Sequence, residues 1–319
     1  MKLINNQGNG HQNNWPWIGS RMTINGKILD GSHWPKISIV TPSYNQVQFL
    51  EETILSVLNQ NYPNLEYIII DGGSTDGSVE IIKKYEKHLA YWVSEPDRGQ
   101  SHAINKGFAM SSGSILAWLN SDDIYVGKAL FEVGGIFSKS ESLWVAGNCY
   151  VIHTDGTANL GRGKPKGGYL SLFVNCQYSQ PAVFWKREIW EKVGKIDENL
   201  HFSFDYDLWL RFSNYQKFPY WTDVYLASFR IHDQSKTSSQ KEKFDYEDSI
   251  VIKKNTKNKR LIEVMIIFIL RRNRAANMIL SSTNKNFNLK QMFQILLKSP
   301  WVLVKKKFYS KVLNHILKI

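Results

Sequence analysis

The chain has 319 residues, which is enough for one large domain or for one domain with an appendage. Hydrophobic residues make up 43% and aromatic residues 13% of the sequence, so a disordered or fibrous chain is excluded and a buried core is expected. Its two cysteines, Cys149 and Cys176, provide neither a disulfide framework nor the spacing of a metal site, which favours a reducing cytosol.

The positive charge is concentrated near the C-terminal end. The net charge is +12, yet residues 251–319 alone hold 16 Lys and Arg against one acid, Glu263. Residues 1–250 hold 24 basic and 27 acidic residues and are close to neutral. A basic segment of this kind suggests an anionic partner, either a nucleic acid or a membrane surface.

Two largely apolar runs in the basic segment, residues 262–270 and 292–304, are shorter than the roughly 20 residues that span a bilayer. We expect them to form basic amphipathic helices that lie on an anionic membrane surface. The alternative is that they pack on the body of the protein with a solvated basic face. No known nucleic-acid-binding motif accompanies the charge, so we expect no nucleic acid partner.

Residues 1–35 are predicted to form an irregular N-terminal arm. The segment is polar and rich in Asn, Gln and Gly, and it contains a few tryptophans. Residues 1–11 lack the apolar stretch of a secretory signal peptide, so we expect a cytoplasmic protein.

The next segment alternates between strand-like and helix-like patterns. Strands are predicted at residues 36–41, 66–70, 90–93 and 115–119, and an amphipathic helix follows each of the first three. This alternation predicts a parallel, doubly wound sheet with right-handed crossovers.

A loop rich in polar residues follows each of these four strands. Since the carboxyl ends of parallel strands share one edge of the sheet, the four loops are expected to meet at a ligand crevice. The last loop carries two adjacent carboxylates, Asp122 and Asp123, which repel each other unless a cation lies nearby. A divalent cation that carries phosphates is the common solution. For any single loop, a polar turn that caps the next helix is the alternative.

The second half of the body gives weaker signals. Further strands are predicted at residues 143–152, 182–185 and 220–229, with helices at 186–193 and 202–212. Residues 159–168 are predicted to form a flexible basic loop; their glycines lack the strand-to-helix context of a phosphate-binding loop.

Five motifs, taken in this order, resemble family 2 of the inverting glycosyltransferases: Pro42-Ser-Tyr-Asn45, Asp71-Gly-Gly-Ser-Thr-Asp76, Asp97-Arg-Gly, Asn120-Ser-Asp-Asp123 and Asp205-Tyr-Asp-Leu-Trp-Leu-Arg211. The resemblance implies an α/β fold of the GT-A type, Rossmann-like, with a mostly parallel sheet flanked by helices and a basic helical C-terminal appendage. The predicted domains are the arm at 1–35, a catalytic domain at 36–237 that binds nucleotide-sugar and acceptor, and the basic helical region at 238–319.

The resemblance also implies roles at the ends of the first two strands. Thr41, Pro42 and Tyr44 would bind the nucleoside of the donor. Asp71 would accept a hydrogen bond from the base, since a buried carboxylate suits the N–H of a uracil-type edge. The alternative for Asp71 is a turn acid that caps the following helix.

The later loops would bind the rest of the donor. Asp97 would hold hydroxyls of the ribose or the donor sugar, and Arg98 would bind phosphate, with a surface ion pair as the alternative. By the resemblance, Asp123 would be the direct ligand of Mn²⁺ or Mg²⁺, with Asp122 nearer the ribose or sugar. His232 would reach the metal or the diphosphate, although a lone histidine is as often structural.

Asp205 is the implied general base. The family usually has an acid at the preceding position, where this chain has Phe204. Apolar neighbours would raise the pKa of Asp205 toward a useful value. The alternatives are that Asp205 caps the helix or that Asp207 is the base.

The function implied is transfer of one sugar from a nucleotide-sugar donor to a hydroxyl of a glycan or lipid-linked acceptor in cell-surface polysaccharide synthesis. The enzyme would be metal-dependent and peripheral on the inner face of the cell membrane. The sequence lacks a Gln-x-x-Arg-Trp motif, which argues against a processive synthase. A non-catalytic nucleotide-sugar-binding or scaffold protein and a sugar-nucleotide pyrophosphorylase are the alternatives.

Overall fold

The computed structural model describes residues 33–161, 163–165, 169–233, 235–236, 240–256 and 271. The chain divides into two compact units, one formed by Met1–Lys166 with Gln177–Val251 and the other by Gly167–Cys176 with Ile252–Ile319. The sheet and the cleft described below lie in the first unit. The amphipathic runs predicted at 262–270 and 292–304, and most of the arm predicted at 1–35, lie outside the described residues.

The described strands form one sheet and are numbered in chain order: β1 (Ile37–Ser43), β2 (Leu65–Asp71), β3 (Tyr91–Ser94), β4 (Ile115–Trp118), β5 (Ile124–Tyr125), β6 (Trp144–His153), β7 (Ala158–Leu160), β8 (Val183–Lys186) and β9 (Tyr220–Ile231). The described helices are α1 (Val47–Leu58), α2 (Ser78–Tyr85), α3 (Gln100–Ala109), α4 (Ala129–Lys139), α5 (Arg187–Val193), α6 (Phe204–Phe212) and α7 (Lys241–Thr256). All predicted strands and helices of the body are confirmed, and those predicted with bounds agree to within three residues at each end.

The strands lie in the order β3-β2-β1-β4-β8-β6-β9-β5, with β7 paired to β6. The sheet contains both parallel and antiparallel pairs. The first four strands are parallel, whereas β8 runs antiparallel to both β4 and β6. The α/β class is confirmed, and the antiparallel β8 and β5 break the parallel arrangement beyond β4. Because the chain moves outward from β1 to β3 and then returns to β4, a topological switch point lies between β1 and β4, where such sheets bind ligands.

Helix α3 lies directly on β1. An ideal Cβ placed on Gly107 would be 2.4 Å from Cγ1 of Val40, so only a glycine allows this close approach. Val40 is completely buried, as is every neighbouring apolar residue of β1. The contact fixes the first residue of α3, Gln100, at the carboxyl edge of the sheet.

An aromatic core holds α6 against the sheet. Trp209 stacks on Trp118 of β4 at 5.7 Å between ring centroids and 12° between planes, and on Trp144 of β6 at 6.2 Å and 17°. All three rings are buried. Since residues four apart lie on the same helix face, this anchor positions Asp205 one turn before Trp209 at the same edge as the loops.

Among the described strands and α-helices of the body, β5, β7 and α4 were not predicted. Strand β7 begins just before the loop predicted at 159–168 and shortens it. Among the residues that the structure describes, no helix is both long and apolar enough to cross a membrane.

Candidate active site

A cleft of about 720 Å³ opens at the carboxyl ends of β1 and β4. Its walls come from the loops after β1, β2, β3 and β4, from α6 and from the segment after β9. The prediction that the polar loops meet at one edge is therefore confirmed. Its lining includes polar groups from the loops and the aromatic rings of Phe202 and Phe204 at the start of α6 and just before it.

The predicted nucleoside residues differ in position. Pro42 and Tyr44 line the cleft, and 62% of Tyr44 is exposed. Thr41 is completely buried, with its Oγ1 3.0 Å from the hydroxyl of Tyr67, and it is not among the residues that line the cleft. Burial raises the pKa of the Tyr67 hydroxyl, which stays neutral beside Thr41.

Asp71, the last residue of β2, is completely buried. Its Oδ2 accepts hydrogen bonds from the backbone N–H of Gly73 (3.1 Å) and Ser74 (2.8 Å) and from the hydroxyl of Ser94 (2.7 Å). Its Oδ1 accepts a bond from the hydroxyl of Ser74 at 2.5 Å. A carboxylate has about four acceptor positions, so these bonds engage Asp71 in organising the loop. Asp71 is not among the residues that line the cleft.

Asp97 and Arg98 point in different directions. Asp97 lines the cleft, and its Oδ1 accepts a hydrogen bond from the backbone N–H of Gly99 at 2.7 Å. The guanidinium of Arg98 donates to Glu198 at 2.6 Å, and 70% of its side chain is exposed. This geometry corresponds to the surface ion pair that the sequence left as the alternative.

The two adjacent carboxylates of the acid loop (residues 120–123) also separate. Asp123 is completely buried, its Oδ1 accepts from the backbone N–H of Arg230 at 2.9 Å, and its Oδ2 accepts from the Asn120 amide at 3.2 Å. Burial, with a further contribution from the charge of Asp122, raises the pKa of the Asp123 carboxyl well above its usual value. Asp122 lines the cleft, and its Oδ2 lies 3.1 Å from Nε2 of His232.

Arg230, which the sequence did not single out, fastens the acid loop. Its Nε donates to the backbone carbonyl of Asp122 at 2.8 Å, and its Nη2 donates to Glu52 of α1 at 2.5 Å. The guanidinium also lies over the ring of Phe49, 4.9 Å from its centroid. Arg230 lies two residues before His232 at the end of β9, so the period of two in a strand was a signal that could have identified it.

An amide network, also missed, forms part of the cleft wall. Gln100 donates to the Asn120 side-chain oxygen at 2.7 Å, and Asn120 donates to Gln180 at 3.2 Å. Gln180 donates in turn to the backbone carbonyl of Trp118 at 2.9 Å. The ammonium group of Lys236 donates to Gln100 at 3.1 Å and brings a positive charge to the cleft.

The start of α6 separates the two candidate bases. Asp205 lines the cleft. Asp207 is completely buried and accepts a hydrogen bond from Nε of Arg211 at 2.8 Å, while that arginine also donates to the carbonyl of Val193 at 2.9 Å. Phe204, where the family usually has an acid, is buried against Trp118 at 6.0 Å between ring centroids.

Asp122 and His232 offer a divalent cation two donor atoms, one carboxylate oxygen and one imidazole nitrogen. Ligands about 2.1 Å from a small octahedral ion lie about 3 Å from each other, close to the 3.1 Å between Asp122 Oδ2 and His232 Nε2. Within the described part of the chain, no cluster of three or more such side chains is present. The site therefore suits an ion that takes its remaining ligands from phosphate and water, as Mg²⁺ commonly does.

Comparison with known proteins identifies the family. Residues 38–191 match the model of glycosyl transferase family 2. An uncharacterized glycosyltransferase of Mycobacterium tuberculosis is 43% identical over 185 residues, which cover 56% of this chain and 68% of that protein. The chain belongs to glycosyltransferase family 2.

Two further relatives extend this match. An uncharacterized glycosyltransferase of Rickettsia typhi is 29% identical over 252 residues, covering 74% of this family 2 chain and 77% of the relative. The putative teichuronic acid biosynthesis glycosyltransferase TuaG of Bacillus subtilis is 41% identical over 98 residues, covering 29% of this chain and 38% of TuaG.

Solved structures agree on the fold. S. aureus TarS 1-349 in complex with UDP-GlcNAc aligns with a TM-score of 0.55 at 17% identity, covering 75% of this chain and 71% of that one. Mannosyltransferase PcManGT from Pyrobaculum calidifontis, in complex with GDP-Man and Mn²⁺, aligns with a TM-score of 0.57 at 15% identity, covering 87% and 83%. At these identities the likeness shows the GT-A-type fold alone.

Proposed function

We propose that this glycosyltransferase moves a single sugar from a nucleotide-sugar to a hydroxyl of a glycan or lipid-linked acceptor, with inversion at the anomeric carbon. The observation that carries the proposal is that Asp205 and the Asp122–His232 pair line or border one cleft at the switch point between β1 and β4. A transferase needs a proton acceptor and a diphosphate site in one cavity, and these groups supply both.

Asp122 and His232 would hold Mn²⁺ or Mg²⁺. When bound, the ion would offset the negative charge that builds on the leaving nucleoside diphosphate. Asp123 would support the metal site indirectly, since its bonds to Arg230 and Asn120 hold the acid loop in place. Lys236 would add a second positive charge on the cleft side of the diphosphate.

Asp205 would be the general base. In a single displacement the acceptor oxygen attacks the anomeric carbon while the bond to the diphosphate oxygen breaks, and the electron pair leaves with the nucleoside diphosphate. The proton of the acceptor hydroxyl passes to a carboxylate oxygen of Asp205. The aromatic rings of Phe202 and Phe204 border the same part of the cleft and would exclude water from it.

The acceptor and the location are further parts of the proposal. TuaG carries a teichuronic acid biosynthesis name, which supports a role in cell-surface polysaccharide synthesis. The 16 basic residues in 251–319 support docking on an anionic inner membrane surface. We retain the proposed division into an arm (1–35), a catalytic domain (36–237) and a basic C-terminal region (238–319).

A binding panel with a turnover assay tests the proposal. Thermal shifts would be measured with UDP-, dTDP-, GDP- and CDP-sugars, with and without Mn²⁺, on wild type and Asp122→Asn. A ligand at a hundredfold excess over its Kd stabilises the folded state by about 3 kcal/mol. We expect one nucleotide class to stabilise the wild type in a metal-dependent way, and the variant to lose this effect. No shift with any nucleotide would contradict the proposed site.

Turnover separates the enzyme from a binding protein. Release of nucleoside diphosphate in the presence of membrane extract is expected for wild type and for the control Glu95→Gln, which alters an exposed ion pair with Lys106. The product linkage, read by NMR, should have the anomeric configuration opposite to that of the donor. Tight binding without turnover over a panel of lipid-linked and glycan acceptors would instead support a scaffold role, with Phe204 in place of the usual acid as its cause.

A further inference from the structure

Helix α7 reaches the cleft, although it lies beyond the catalytic domain predicted at 36–237. Phe244, near the start of α7, lines the cleft together with Phe202, which lies just before α6. The two rings meet edge to face, with 5.2 Å between their centroids and 67° between their planes. The part of α7 up to Val251 belongs to the same compact unit as the sheet. This aromatic pair is therefore part of the cleft wall.

A buried acid of α7 fixes the segment that carries Phe202. Glu247 is 7% exposed, and its Oε2 accepts hydrogen bonds from the backbone N–H of Phe202 at 2.8 Å and of Ser203 at 3.0 Å. Its Oε1 accepts a bond from the backbone N–H of His201 at 2.9 Å. Because one carboxylate binds three consecutive N–H groups, the wall that leads into Asp205 is held in place before any ligand binds.

Two ammonium groups lie near the ring of Phe202. Nζ of Lys243 is 5.7 Å from its centroid, and Nζ of Lys236 is 5.9 Å from it. Lys243 donates one hydrogen bond, to Gln240, and Lys236 donates two, one of them to Gln100. An ammonium group has three donors, so within the described part of the chain each lysine keeps at least one for a ligand.

We name these four residues the lysine platform: Phe202, Phe244, Lys236 and Lys243. Its rings offer an apolar surface that suits the C–H face of a pyranose, and its ammonium groups offer charges that suit a carboxylate or a phosphate. Asp205 follows Phe202 by three residues and lines the same cleft, so an acceptor whose hydroxyl reaches this base lies against the platform. A neutral sugar would leave both charges without a counter-charge.

We propose that the lysine platform is the acceptor subsite and selects an acceptor that carries an anionic group, a carboxylate or a phosphate, near the attacking hydroxyl. Lys243 is the residue that separates this role from donor binding, because Lys236 is also placed at the proposed diphosphate site. Lys243 is exposed at the rim of the platform, where an acceptor can reach it. This inference rests on the proposed function and names its acceptor class.

The first arm of the test changes only the acceptor. Wild-type protein would be saturated with Mn²⁺ and the nucleoside diphosphate that the thermal-shift panel identifies, which blocks the diphosphate site as another place for an anion. Calorimetric titrations would compare p-nitrophenyl glycosides of the gluco, galacto and manno series that carry a hydroxymethyl, a carboxylate or a phosphorylated hydroxymethyl group. A second pair, glucosyl farnesyl phosphate and farnesyl glucoside, places the anion at the lipid linkage.

At least one anionic probe should bind about tenfold to a hundredfold more tightly than its neutral partner, as expected for a hydrogen bond to a charged group. High salt should reduce the difference. The pair with the larger difference shows whether the anion belongs to the sugar or to the lipid linkage. Neutral probes that all bind as tightly as their anionic partners, or no binding of any probe by protein that turns over membrane extract, would overturn the inference and leave the proposed function intact.

The second arm changes the protein. Lys243→Gln should reduce the preference for the anionic probe about tenfold, and Lys243→Arg, which keeps the charge, should retain most of it. The matched control is Lys253→Gln, which removes the same charge from an exposed position about 15 Å further along α7 and should leave the preference unchanged. A folding defect would weaken neutral and anionic probes alike. A full preference in Lys243→Gln contradicts the inference, whereas no nucleotide binding by wild type contradicts the proposed function.

Discussion

Glu66 offers a quantitative test of what holds the sheet together away from the cleft. Its carboxylate, at the amino end of β2, accepts from Lys36 (2.6 Å), from the Ser38 hydroxyl (2.5 Å) and from both the backbone and the hydroxyl of Ser112 (2.6 and 2.7 Å). Burial alone would raise the pKa of Glu66, but these donors outweigh it and lower the pKa from 4.5 to about 2. This difference corresponds to about 3 kcal/mol of folding stability at neutral pH.

The sign of the pH dependence follows from the lowered pKa. A carboxyl that is more acidic in the folded state contributes its full stability above the unfolded pKa of 4.5 and loses it as the pH falls toward the folded value of about 2. Glu66→Gln mimics the protonated form. The difference in unfolding free energy between wild type and Glu66→Gln should therefore be about 3 kcal/mol at pH 7 and about 2 kcal/mol at pH 3.5.

Urea unfolding followed by tryptophan fluorescence measures this difference directly, because several buried tryptophans report on the core. Comparing the two proteins at each pH cancels the titration of all other carboxyls. A difference that stays constant between pH 7 and pH 3.5 would refute the account, since the charge of Glu66 would then contribute nothing. Nucleotide binding by the folded variant at pH 7 should be unchanged, because Glu66 lies at the opposite end of β2 from the cleft.

Three further predictions concern other parts of the first unit. Asp205→Asn should lower kcat by about 10²- to 10⁴-fold with nucleotide affinity unchanged. Its matched control, Asp207→Asn, should instead lower the unfolding free energy by about 3 kcal/mol, because it breaks a buried ion pair; an inactive but stable Asp207→Asn would contradict the assignment. Gly107→Ala should cost about 1–3 kcal/mol in urea unfolding by overpacking against β1. The control Gly135→Ala in α4, where nothing lies within 4 Å, should be neutral or slightly stabilising. Arg230→Lys should weaken Mn²⁺ binding about 10- to 100-fold in calorimetry, because the guanidinium bonds that join the Asp122 carbonyl of the acid loop to Glu52 of α1 are lost; unchanged affinity would show that the loop does not need them.

The parallel half of the sheet was predictable because each strand there is an apolar run followed by polar turn residues and an amphipathic helix. Each part of that pattern can be recognised from residues that are neighbours in the sequence. Strand β5 has two residues, too few for any period to appear. Helix α4 carries Gly134 and Gly135 at its centre, which lower its helix propensity. An ideal Cβ on Gly134 would lie 2.5 Å from the Tyr62 hydroxyl, so the reason for that glycine is a tertiary contact that the local sequence does not contain.

The sequence predicted which loops form the site, but not which side chains of those loops and of α6 face the cleft. Asp205 and Asp207 are two positions apart on α6, and a helix turns about 200° over two residues, so they lie on opposite faces. Asp205 shares a face with Trp209 and lines the cleft, while Asp207 faces Arg211, which bonds to the end of α5. Sequence spacing establishes that they diverge, but which one faces the ligand depends on the side that packs on the sheet. Trp209 decides this by stacking on Trp118, a contact between residues 91 positions apart in the chain.

The adjacent carboxylates of the acid loop show the same dependence at closer range. Asp122 and Asp123 are chemically identical, and their order in the motif does not tell which meets a ligand. The structure separates them through β9: Arg230 binds Asp123 through its backbone N–H and the carbonyl of Asp122 through its guanidinium, which leaves the Asp122 carboxylate beside His232. Asp123 is thus held by structural contacts while Asp122 lines the cleft, and the raised pKa of Asp123 beside the charge of Asp122 is the physical consequence of burying one of the two acids. A cation bound to Asp122 would offset part of that repulsion, so metal binding and the stability of the acid loop are expected to be coupled.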